Sequence, residues 1–163
     1  MGSSARQKVR AQSAKTAVNN DQGLLKAFLG GKIEGRNFRH ADHVRAGFEL
    51  LRHQAFSDAL AAYCAALKGM ARRAGNPGAY HETITVAFLS LIAERSAAGQ
   101  YADFEAFIGD NSDLMDKAIL ERWYTPARLL SDIARKTFVM PDGDRLWPQP
   151  ARRSRARSAE HEQ

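Results

Sequence analysis

With 163 residues, 44% of them hydrophobic and 26% charged, the chain has room for one domain around one core. No apolar run approaches the roughly 20 residues of a spanning helix. The first twenty residues hold no hydrophobic stretch of the kind a secretory signal needs, and a single cysteine, Cys64, precludes an internal disulfide. The expectation is a cytoplasmic protein without a membrane span.

The net charge is +6, and it sits mainly at the ends. Residues 1–21 carry four Lys or Arg and one acid, and residues 151–163 carry four Arg and two Glu, which leaves 16 cations against 15 acids in 22–150. A nearly neutral middle offers no basic face for a nucleic-acid backbone, so no specific nucleic-acid partner is expected.

Along the chain, residues 1–21 lack apolar periodicity and read as a disordered basic segment. Gly23 to Leu29 form a short helix stopped by Gly30-Gly31. A second helix spans about His40 to His53. A third opens with Ser57 as its cap, runs to Ala74, and stops at Gly75 with Pro77 just beyond. A fourth runs from about Tyr80 to Ala98, a fifth over Tyr101 to Ile108, and a sixth from Ser112 to roughly Tyr124. Thr125-Pro126 places a cap and a first-turn proline before a last helix ending near Lys136. Residues 141–163, rich in Pro and Arg, form a flexible tail in which only Trp147 could pack. The β-branched run Thr83-Ile84-Thr85-Val86 opens a stretch whose apolar residues recur at helical spacing, so it too reads as helix. The reading is all-α: one compact bundle of about four to six helices over 22–140, with disordered N- and C-terminal tails.

Projecting the helices at about 100° per residue gives each a face. In the second helix Val44, Gly47, Leu50 and Leu51 form the apolar stripe, with Asp42, Arg45, Glu49 and Arg52 opposite. His40 falls within the stripe and His43 on its shoulder, three residues apart, so both rings can reach one point. In the fourth helix the stripe is Ile84, Phe88, Leu91 and Ile92. His81 falls at its centre and Arg95 at its far end, with Thr83, Ser90 and Glu94 outward and Glu82 on the flank. Short links favour antiparallel neighbours, so the second and fourth helices run the same way and share an N-terminal end. There His40, His43 and His81 converge, with helix dipoles that disfavour the imidazolium form.

Buried imidazoles need partners, and these could simply satisfy one another or cap backbone. Three at one end point instead to a pocket. One form is a metal centre in which His40, His43, His81 and Glu82 bind Zn²⁺ or Fe²⁺. The spacing matches no established ligand signature, since residue 85 is Thr and not the second His of a His-Glu-x-x-His helix. The other form is metal-free and binds a small polar or anionic molecule. His81 then shuttles protons, Glu82 and Thr85 assist, and Arg95 or Tyr124 anchors the molecule. The opposing class is a non-catalytic interaction module, homodimeric through its aromatic residues. Cys64, among Ala61, Ala65 and Leu67, reads as a buried inert thiol, and no phosphate loop, dinucleotide fingerprint or serine elbow is present.

The pair Phe38-Arg39-His40-Ala41-Asp42-His43 and Tyr80-His81-Glu82-Thr83-Ile84-Thr85 resembles an uncharacterised group of small bacterial all-helical proteins. Members carry Phe-x-His-x-x-His and, some forty residues on, Tyr-His-Glu-Thr-Ile-Thr. A late Tyr-x-Pro-x-x-Leu stretch also corresponds, here Tyr124-Thr125-Pro126-Ala127-Arg128-Leu129. The likeness covers about residues 38–141. It implies a helical fold and no particular reaction. Arg39 stands where that group would have a small capping residue such as Thr.

Overall fold

The computed structural model describes residues 22–143, and among these there are helices and turns but no strand. The helices are α1 (22–29), α2 (His40–His53), α3 (Phe56–Arg73), α4 (Glu82–Ala97), α5 (Phe104–Asp110), α6 (Pro126–Leu129) and α7 (Asp132–Lys136). Short 3-10 segments fill the joins at Gly35–Asn37, Pro77–Ala79, Ser112–Met115 and Lys117–Arg122. The all-α expectation holds.

Two stops follow the sequence closely. Gly31 takes φ 66° and Gly75 takes φ 69°, which L side chains seldom adopt. After α3 the Asn76 amide bonds the Ala71 carbonyl and the Gly75 amide the Arg72 carbonyl, so the last carbonyls are satisfied before Pro77 turns the chain. At α6 the Thr125 hydroxyl accepts from the Arg128 amide with Pro126 in the first turn, also as expected.

Other boundaries differ. Ser57 caps nothing: α3 begins at Phe56 behind Ala55, with no side-chain cap. The fourth helix begins at Glu82, with His81 itself as N-cap. The helix expected from Ser112 to Tyr124 is two separate 3-10 segments, and the last helix is broken at Leu130–Ser131, where Ser131 caps α7 anew. The expected tails fall outside the described residues, and Trp147 with them, except for 141–143. There Asp142 accepts from the amide and hydroxyl of Thr125, both at 2.8 Å, and the Gly143 amide bonds the Trp123 carbonyl.

Helix α2 packs chiefly on α4, and Gly47 sets how closely. A Cβ there would stand 3.1 Å from both Ile92 Cδ1 and Leu89 Cδ1. On one side of this pair Phe28, Phe38, Ala46, Leu50, Ala59, Tyr63 and Leu89 bury against α1 and α3. On the other, Phe48, Ile92, Phe107, Leu114, Ile119 and Tyr124 join α2 and α4 to the later segments. Helix α4 is therefore enclosed by α2, α3, α7 and the Lys117–Arg122 turn. This explains one departure from the projected faces. Thr83, expected outside, is fully buried, donating to the Thr137 carbonyl at 2.8 Å and accepting from the Val139 amide at 3.1 Å. On α2, Glu49 is also buried, held by Arg52 at 3.3 Å with His53 at 3.9 Å. A buried carboxylate with such partners avoids the cost of an unpaired charge.

Candidate functional site

The N-terminal turns of α2 and α4 do share one end of the bundle, facing the C-terminal half of α3. Between them lies a cavity of about 530 Å³, within the usual range for small-molecule sites. Val44, Leu67, Met70, Ile84, Phe88 and Ile92 form most of its apolar wall, and His40, His43, His81 and Thr85 all line it. His40, His43 and His81 thus line one cavity, His81 buried and the other two half-buried, but among the described residues they do not gather into one close group.

Their chemistry differs ring by ring. His81 is buried and fully engaged. Its Nδ1 accepts from the Ile84 amide at 3.3 Å and its Nε2 donates to the Leu129 carbonyl at 2.9 Å. The first bond caps α4 and the second ties α4 to α6. Burial pushes its pKa down from the ordinary histidine value, so the ring is neutral with the proton on Nε2. No lone pair remains for a metal ion or for the shuttling role expected of His81.

His40 donates Nε2–H to the Leu114 carbonyl at 2.8 Å and stands edge-on to Phe88, leaving Nδ1 as an acceptor. His43 packs edge-on against Phe38 with ring centroids 4.5 Å apart, and among the described residues its ring makes no hydrogen bond. Burial, with a smaller push from neighbouring His40, lowers its pKa to about 4. Neutral imidazoles were expected from the helix dipoles; at His43 and His81 desolvation is the main cause.

The remaining expected residues lie elsewhere. Glu82 turns to Lys68, 3.0 Å away, and does not line the cavity. Arg95 forms a two-pronged pair with Asp113, which Arg122 joins at 2.8 Å; these hold the Asp113 carboxyl at about 2 and staple the end of α4 to the 3-10 segment. The Tyr124 hydroxyl donates to the Val139 carbonyl at 3.1 Å inside the core. Neither Arg95 nor Tyr124 reaches the cavity in this arrangement. Among the described residues no three His, Cys, Asp or Glu side chains gather as metal ligands. Of these three histidines, His40 and His43 keep a ring nitrogen without a hydrogen bond and His81 does not, whereas a Zn²⁺ or Fe²⁺ site wants at least three protein donors.

Sequence reasoning passed over two lining residues. The Tyr80 hydroxyl is buried and no group meets it in full hydrogen-bond geometry, with the Cys64 thiol and the Glu82 carboxylate as its polar neighbours. Burial and the neighbouring Cys64 thiol raise its pKa, so it stays a phenol, and Lys68 sits 4.7 Å over its ring. Tyr80 adjoins His81 in the sequence, and an aromatic residue just before a helix start carries no signal of its own that it lines a cavity. Lys117 approaches from the join between two 3-10 turns and carries no local signal at all. Cys64 is buried, as expected. No helix among the described residues is long and apolar enough to cross a membrane. Comparison with protein-family models, with curated proteins and with solved structures gives no match, so the functional reading rests on this geometry.

Proposed function

We propose that this protein binds a small molecule with a largely apolar body in the cavity at the shared N-terminal end of α2 and α4, with His43 and Tyr80 as the polar groups that meet it. The observation that carries the reading is a cavity of about 530 Å³ whose wall contains a buried phenol and an imidazole with no hydrogen-bond partner among the described residues. A buried hydroxyl left unsatisfied, as at Tyr80, costs about 1–3 kcal/mol, which a ligand atom bonded to it would recover. Binding is favoured over acid–base catalysis because a pKa of about 4 makes His43 a weak base near neutral pH.

The test is titration with an uncharged fluorescent probe such as N-phenyl-1-naphthylamine. Saturable one-to-one binding is expected, and Ala71→Phe, which fills the cavity from α3, should abolish it while leaving the melting transition cooperative. Absence of binding to the parent protein, or equal binding by both proteins, refutes the reading.

One observation favours the interaction module instead. Leu130, Ile133, Phe138 and Met140 are all exposed, at 70%, 56%, 41% and 66%, within one short segment. Sedimentation over a hundredfold range of concentration tests it, since Ile133→Glu should dissolve any self-association through that surface.

A further inference from the structure

The cavity is electrically one-sided. Among its lining residues Lys117 is the only one with a formal charge, and no Asp or Glu joins it. Lys117 also lines an adjoining pocket with Phe38, Arg39, His40, His43 and Met115, again without an acid. Its side chain is exposed, and among the described residues no carboxylate pairs with it. Of the acids that adjoin Lys117 and His43 in sequence, Asp116 accepts from the Ala118 amide at 2.9 Å and Asp42 from the Arg39 amide at 2.8 Å; neither lines the cavity, although the Asp42 charge acts on His43. One cation thus stands free where an apolar chamber opens, beside an imidazole that can present an N–H in either tautomer.

We propose that the natural occupant is an amphipathic carboxylate, with its apolar chain or ring inside the cavity and its anionic head at Lys117 and His43. This rests on reading the cavity as a binding site. Lys117 supplies the charge, and neutral His43 donates to the second carboxylate oxygen. Within the cavity lining itself the single cation suits a monoanion, and Arg39 lines only the adjoining pocket. A cationic amphiphile would face Lys117 with no carboxylate in the lining to receive it, and an alcohol would lose the ion pair.

The neutral probe bound to the parent protein is displaced at pH 8 by three molecules sharing one tail: decanoate, decanol and decyltrimethylammonium. Decanoate should displace it and the cation should not. Lys117→Gln, an exposed substitution, should weaken displacement by decanoate about two- to fivefold, the range for one exposed ion pair, and leave decanol unchanged. Added salt should shrink the decanoate difference. If Lys117→Gln leaves decanoate unaffected, or weakens decanol equally, the carboxylate assignment is overturned while the binding cavity stands. If the probe never binds, the cavity reading itself has failed and takes the assignment with it.

Discussion

Protonation of His43 should make the fold acid-sensitive in a defined window. In the unfolded chain this ring titrates near 6.5, and in the folded protein near 4. Between those values the unfolded state binds more protons, so stability falls as pH falls. At about 1.4 kcal/mol per pH unit the shift corresponds to roughly 3 kcal/mol lost between pH 7 and pH 4. That is an upper figure, because the ring is only partly enclosed. His81, displaced in the same direction by burial, adds to the trend. Asp113, held at about 2, and Asp142, held down by the Thr125 amide, contribute with the same sign but begin to titrate only near the ordinary carboxylate range. The His43 effect is therefore read most cleanly between pH 7 and pH 5. Urea unfolding at half-unit steps across that interval should give a positive slope of stability against pH, and His43→Gln should flatten it. Equal slopes in the parent protein and the variant would show that His43 is not desolvated, and the cavity geometry around it would be wrong.

Three further outcomes follow from the packing. Thr83→Val leaves the Val139 amide buried without its acceptor and should cost about 1–3 kcal/mol by urea unfolding, with residues 137–139 losing hydrogen-exchange protection first. His81→Ala removes both the α4 cap and the tie to Leu129 and should cost about 2 kcal/mol, whereas His81→Asn, which keeps a capping acceptor, should recover about half. Equal losses in the two variants would show that the cap contributes nothing. Gly47→Val drives a branched side chain into Leu89 and Ile92 and should destabilise by about 1–3 kcal/mol, read as a lower denaturation midpoint; an unchanged midpoint would place α2 and α4 further apart than described.

The sequence by itself determined the helical class, the stops at Gly31 and Gly75 and the Thr125-Pro126 start, and it put His40, His43 and His81 on the wall of one cavity without making them a close group. Each of these depends on local chemistry: a left-handed φ, a cap, a missing amide, or the 3.6-residue period carried through short connections. Tertiary structure decided the rest. Projection assumes that a helix has an inside and an outside, and α4 is enclosed on several sides, so Thr83 lies buried where the projection turned it out. The segments after Asn111 break into 3-10 turns that follow the surface of α2 and α4, which no local propensity encodes. Ring occupancy was settled in the same way. Leu129 and Leu114, 48 and 74 residues away from His81 and His40, supply the carbonyls that consume Nε2 of each, and Lys117 reaches the cavity from a turn with no motif. Which nitrogen stays free is a property of distant backbone brought close, because a hydrogen bond is set by position in space and not by order along the chain.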